Sequence, residues 1–164
     1  MRLGVAQAGR ELYPALMNPK DPDFEARTRA TFEAQRVMAM IGARVSRVAP
    51  GEVEIELPFR EDLTQQNGFL HAGIVTTVLD SACGGAALTL MPPGAGVLSI
   101  EFKTNLLAPA RGELLVVRAR VVRAGRTVTV CTADALMRDG GREVHVATML
   151  GTMMTVVGRG GGAG

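Results

Sequence analysis

Residues 67–91 read NGFLHAGIVTTVLDSACGGAALTLM, and from Ala72 onward the stretch is apolar or small at nearly every position, interrupted by a single acid, Asp80. The run from 72 to 90 is longer than a strand, so its length predicts a helix. A helix that is apolar on nearly all sides must be covered on most of them. What the flanking sequence offers as cover therefore decides the fold.

Upstream, DFEARTRATFEAQRVMAMI (23–41) places Ala30, Ala34, Val37, Met38 and Ile41 on one helical face and predicts a single amphipathic helix. ARVSRV (43–48) and EVEIELPF (52–59) then flank the turn APGE, and Val53, Ile55 and Leu57 alternate with Glu52, Glu54 and Glu56 in the period of a half-buried hairpin strand. Downstream, GVLSIEFKTNLL (96–107), ELLVVRARVVR (113–123), TVTVCTADALMRD (127–139) and REVHVATMLGTMMTVV (142–157) read as four strands, with AG and GG turns closing the last two hairpins. The expected class is α+β, an antiparallel sheet wrapped around a long central helix, which is the hotdog architecture. Residues 23–157 are the expected domain, 1–22 an N-terminal extension, and GRGGGAG (158–164) a flexible tail.

With 164 residues the chain is one ordinary domain, and 18 Lys+Arg against 16 Asp+Glu give a net charge of +2, too small for a binder of nucleic acid. No run of about 20 apolar residues predicts a membrane span, and the opening residues carry no apolar core of signal-peptide length, so a cytoplasmic protein is expected. The two cysteines, Cys83 and Cys131, and two histidines, His71 and His145, supply neither a disulfide framework nor a metal-ligand spacing. No metal and no other cofactor is expected, and both thiols are read as reduced core residues.

Asp80 is too deep in the helix to cap it. A mid-helix Asp costs a few tenths of a kcal/mol in propensity, and burying an unpaired carboxylate costs several more. That cost is rational for a general base or nucleophile in an apolar cleft. At the helix start, Gly68 and Gly73 bracket the turn, and the backbone N–H groups of Ala72 and Gly73 are placed to hold a ligand oxygen. Seven residues separate Gly73 from Asp80, roughly 10 Å along a helix. Reacting groups must meet within about 3 to 3.5 Å, so one carbonyl meets both only if the acid comes from a second copy. This predicts a twofold homodimer with shared sites. The adjacent glycines of ACGGAA (82–87) predict close approach of either a neighbouring strand or an acyl chain.

At NGFLHAG followed by Asp80 the sequence resembles the PaaI-like acyl-CoA thioesterases of the hotdog superfamily. That family's pattern runs Asn, two residues, Gly, two residues, His-Gly-Gly, and an Asp eight residues after the first of those glycines. Gly68, His71, Gly73 and Asp80 match in place, Gln65 stands at the Asn position with Gln66 and Asn67 competing for its role, and Ala72 replaces the first Gly. The likeness extends from about Ala43 to Val157.

The resemblance implies hydrolysis of acyl-CoA thioesters, with medium-chain or aryl acyl groups. Asp80 would act as base or nucleophile. Gln65 and the N–H groups of Ala72 and Gly73 would hold the oxyanion, with His71 shaping the turn or binding through its imidazole. Ser99 matches a hydroxyl that places water, although simple alternation puts it with Glu101, Lys103 and Asn105 on the polar face of its strand. Asn67 and Gly68 are candidate substrate-binding positions, and Arg111 and Arg126 are candidates for the coenzyme A phosphates. The competing readings are a non-catalytic acyl-CoA binding module and a hotdog dehydratase or hydratase; whether dimers pair into tetramers is left open.

Overall fold

The computed structural model describes residues 17–157. The expectations for 1–16 and for the 158–164 tail lie outside the described residues. The elements are α1 (Phe24–Glu33), α2 (Arg36–Ile41), β1 (Arg44–Ala49), β2 (Glu52–Pro58), a 3-10 turn (Glu61–Leu63), α3 (Ala72–Leu88), β3 (Gly96–Leu106), β4 (Leu114–Ala124), β5 (Val128–Asp139) and β6 (Arg142–Val156).

The strands form one antiparallel sheet in the order β1-β2-β4-β5-β6-β3. The alternation of β2 holds: Val53, Ile55 and Leu57 are buried, and the glutamates between them are half-buried. Gly140 and Gly141, at φ 53° and 80°, supply the left-handed pair that a two-residue turn between β5 and β6 requires. Helix α3 lies across the sheet, burying Val75, Val78, Leu79, Ala82, Cys83 and Ala86. The facing positions of β5 include Cys131, Ala133 and Ala135, small side chains that let the helix approach closely. Burial pushes the Cys131 thiol up to about 12 and raises Cys83 further, so both are inert core thiols.

The expected 23–41 helix is corrected. It breaks at Gln35, whose backbone is extended (φ −77°, ψ 102°), giving two helices. The buried residues also differ: Thr28 and Phe32 of α1 face inward with Met38 and Ile41 of α2, whereas Ala30, Ala34 and Val37 are exposed. Ala34 and Gln35 are both good helix formers, so propensity gives no sign of the break. The break accompanies the packing of α1 against both α3 and edge strand β1, with Met38 and Ile41 of α2 turned into the core.

Arg27 of α1 closes the far end of α3. Its guanidinium donates to the carbonyls of Leu88 (3.0 Å), Met91 (2.8 Å) and Pro92 (2.6 Å), and its Nε lies 3.1 Å from the Asp21 carboxylate. The Leu88 and Pro92 carbonyls also accept the backbone N–H groups of Met91 (3.1 Å) and Ala95 (3.2 Å), so Arg27 adds a charged second donor to these two and a donor to Met91.

Candidate active site

The loop before α3 is tied down on both sides. Thr64 and Leu70 form an isolated antiparallel bridge, the Leu70 N–H donates to the Ala110 carbonyl at 2.9 Å, and the His71 N–H donates to the Leu63 carbonyl at 2.9 Å. Between them Gln65–Gly68 is a tight turn closed by a 2.9 Å bond from the Gly68 N–H to the Gln65 carbonyl, with Gly68 at φ 77°. The Gln65 side-chain oxygen accepts from the Asn67 N–H, which leaves the amide nitrogen as its donor.

His71 is the N-cap of α3, and its Nδ1 accepts the Gly73 N–H at 2.9 Å. This corrects one expectation: the Gly73 N–H is occupied by the cap, so His71 shapes the turn. Ala72, at the first helical position, has an N–H with no acceptor among the described residues. Gln65 and Ala72 line a cavity of about 380 Å³ with Phe69, Val75, Leu106 and Val146. Gln66 and Asn67 are exposed and do not line it.

Asp80 lies in a different cavity, of about 320 Å³, bounded by α1, β2, α3 and the start of β3, with Phe32, Val45, Val53, Leu88 and Val97 in its walls. Asp80 is half-buried, and the Ser99 hydroxyl donates to its Oδ1 at 2.6 Å. The expected facing of Ser99 is therefore corrected. A bulge between Ser99 and Glu101 shifts the phase of β3: Ser99 pairs with buried Met153 and Phe102 with buried Gly151, whereas Glu101 pairs with Thr152. Paired residues share a face, so Ser99 points toward the helix and Glu101 away. One inserted residue inverts a period-2 reading.

The two glycines differ in what they face. A Cβ on Gly85 would meet Val53 Cγ2 at 3.3 Å, so Gly85 admits strand β2, while a Cβ on Gly84 would meet only Val97 at 3.9 Å and would intrude on the cavity both glycines line.

The two cavities share no lining residue. Each holds half of the expected constellation. Arg111 is exposed beside Ala110, at the mouth of the Gln65 cavity, and Arg126 is exposed in the β4–β5 turn at the other end of β4. With about 3.3 Å per strand residue, roughly 35 Å separate them. They do not converge on one phosphate within a subunit. Among the described residues no group of three His, Cys, Asp or Glu side chains is placed to hold a metal, and no helix is long and apolar enough to cross a membrane.

The sequence reading missed Thr28, Gln35 and Ser81, which line the Asp80 cavity. Gln35 faces it only because the helix breaks there, and Ser81 could have been found as the polar neighbour of Asp80 on the same helix.

Residues 67–144 match the model of the thioesterase superfamily. A crystal structure of a thioesterase family protein from Silicibacter pomeroyi is 52% identical, with a TM-score of 0.81, covering 82% of this chain and 99% of that one. A Halobacterium salinarum protein whose name provisionally makes it an esterase is 33% identical over 113 residues, 66% of this chain and 74% of its own. Human acyl-coenzyme A thioesterase 13 is 30% identical over 95 residues, 57% of this chain and 67% of its own. The Escherichia coli PaaI protein of the phenylacetic acid degradation operon shares the fold, with a TM-score of 0.75 at 15% identity over 83% of this chain and 95% of that one.

Proposed function

The chain belongs to the thioesterase superfamily and is a thioester hydrolase, and from that premise we propose that it hydrolyses acyl-CoA thioesters in sites shared between two copies of the chain. The observation that carries this reading is Asp80, half-buried at a cavity of mixed apolar and hydroxyl lining, with one carboxylate oxygen taken by Ser99 and the other left for water.

In the proposed reaction Asp80 takes a proton from water as the water oxygen attacks the thioester carbonyl carbon. Negative charge develops on the carbonyl oxygen, where the Gln65 amide nitrogen and the Ala72 N–H of the partner copy donate to it, with the positive end of the α3 dipole behind them. Collapse of the tetrahedral intermediate breaks the C–S bond, and the thiolate leaves with the proton. Ser99 holds the carboxylate in place, and Asn67 and Gly68 keep the Gln65 turn. Arg111 of one copy and Arg126 of the other flank the combined site and are offered to the coenzyme A phosphates. The reaction draws on no metal or other cofactor, and a cytoplasmic location fits its substrate.

The homodimer rests on β3. This strand is the sheet's edge, and Leu98, Ile100, Phe102 and Leu106 on it are 54%, 52%, 46% and 58% exposed. Phe102 and Leu106 lie on the helix side of the sheet, yet α3 does not cover them. A long, apolar, unpaired edge is a template for another chain. A twofold partner at β3 covers these side chains and brings its own helix start toward Asp80.

A panel of medium-chain and aryl acyl-CoA thioesters, followed by thiol release, tests the activity. Hydrolysis of at least one of them with kcat/KM above about 10⁴ M⁻¹s⁻¹ is expected. Tight binding of acyl-CoA with no thiol release across the panel would make the chain a binding module instead.

A further inference from the structure

In the proposed reaction the attacking water is held at one point only, the free oxygen of Asp80. A water held by a single hydrogen bond still rotates, and attack requires one lone pair to stay on the carbonyl carbon. With one hydrogen on the carboxylate and one lone pair on the carbon, the remaining lone pair takes a donor. That donor has to be neutral, because a lysine or arginine beside Asp80 would pair with the carboxylate and weaken it as a base.

Gln35 meets these terms. It lines the Asp80 cavity, half-buried, from the break between α1 and α2. The hydroxyl of Ser81, the residue after Asp80, donates to the Gln35 side-chain oxygen at 2.9 Å, which leaves the amide nitrogen as the end that donates. Among the described residues Asp80 is the only charged side chain lining the cavity. The space beside it also suits water. From α1, Thr28 and Thr31 line it with Gln35, opposite Ser81, Gly84 and Gly85 of α3, so hydroxyls stand where a dry helix contact would use aliphatic side chains. Thr28 is 2% exposed and its hydroxyl has no partner among the described residues. A buried hydroxyl left so is unfavourable, and water satisfies it whatever the substrate. At the rim, Thr31 and Ser99 are exposed, which opens the seam to solvent.

We infer that Gln35, oriented by Ser81, holds the attacking water: its amide nitrogen donates to the water oxygen while Asp80 takes the proton, and the seam between α1 and α3 supplies that water. This rests on the thioesterase reading and gives α1 and α2 a part in its chemistry.

The test measures kcat, KM and thermal unfolding with acetyl-CoA and hexanoyl-CoA in the wild type, Gln35→Glu, Gln35→Leu and Ser81→Ala. Glutamate keeps the side-chain length and an oxygen to accept from Ser81 but, ionised, donates nothing; leucine removes both. On the pH-independent plateau kcat is expected to fall about 10-fold or more in both Gln35 variants, and less in Ser81→Ala, where the amide is only freed to rotate. KM should change by less than about 2-fold, equally for the two acyl lengths. In Gln35→Glu the acid limb of kcat should also move to higher pH, since a second negative charge beside Asp80 favours its protonated form. A folded Gln35→Glu with near wild-type plateau kcat, or with its acid limb in place, overturns the inference. So does a rise in KM that grows with acyl length, which would make the seam part of the acyl pocket. In each of these cases hydrolysis by the wild type keeps the thioesterase reading; failure of the wild type to release thiol from either substrate overturns both.

Discussion

Asp80 and Ser99 are nineteen residues apart in sequence, and the Ser99 hydroxyl lies 2.6 Å from the Asp80 carboxylate. The hydroxyl fixes the carboxylate without neutralising it. Asp80→Asn keeps the shape and still accepts from Ser99 while losing basicity and nucleophilicity. Turnover is expected to fall by about 10²-fold or more with KM little changed; a folded variant with near-normal kcat would remove Asp80 from the mechanism. Ser99→Ala removes one hydrogen bond and is expected to cost about 10-fold in kcat, read in the same assay. Asp80 was legible in the sequence because an acid interrupting an apolar helix is a local anomaly. The orientation of Ser99 was not, because the bulge that turns it inward leaves no mark on composition or period.

Among the elements, α3 was legible from the length of its apolar run, and the β1–β2 hairpin and the last four strands from apolar-rich runs bounded by turn residues, all to within a residue or two. The α1–α2 break was not, since no Gly or Pro marks it and tertiary packing alone sets it. The capping of α3 by Arg27 is likewise a long-range contact, 61 to 65 residues away in sequence. Arg27→Met removes the cation beside the 6% exposed Asp21 and a charged donor from three carbonyls, two of which keep a backbone N–H, and a loss of about 2–4 kcal/mol is expected in denaturant unfolding. On the outer face of the sheet, side chains of five consecutive strands are linked: Ser46 to Glu54, Glu54 to Arg118, Arg118 to Glu143, and Glu143 to Arg138. Burial raises the Glu54 pKa, but hydrogen bonds from Arg118 and Ser46 outweigh it and hold the carboxyl below its usual range; hydrogen bonds from Arg138 and Arg118 do the same for Glu143. Depressed folded values mean that the stabilisation is complete above the ordinary carboxylate range and is lost as pH falls through the folded values. The groups lie on the open face of the sheet, half-buried to exposed and screened by solvent, so the network contributes about 1 kcal/mol. Arg118→Met should melt about 3 °C below wild type near neutral pH, with the gap closing toward pH ~3; a gap independent of pH would refute the linkage.

For the whole molecule, the separation of Asp80 from the Gln65 and Ala72 cavity makes a prediction that a single-subunit site does not. Ala72→Pro removes one donor and little else: Pro is favoured at the first helical position, and the residue before it, His71, already has the extended backbone (φ −59°, ψ 136°) that a following proline requires. Homodimers of Ala72→Pro and of Asp80→Asn should each be folded and slow. Unfolded together and refolded, or coexpressed, they should exchange into hybrids. In a hybrid one site combines the intact Asp80 of one copy with the intact Ala72 of the other, while the second site carries both lesions. Random pairing makes about half of all dimers hybrids with one good site of two, so the mixture should recover about a quarter of wild-type turnover per subunit under twofold symmetry. If Asp80 and Ala72 served one carbonyl within a single chain, every site in every dimer would keep one lesion, and the mixture would stay at the average of the two variants. Native mass spectrometry of the mixture, run beside the assay, resolves the hybrid from the two homodimers, so that absence of recovery in a sample shown to contain hybrids rules against the shared site.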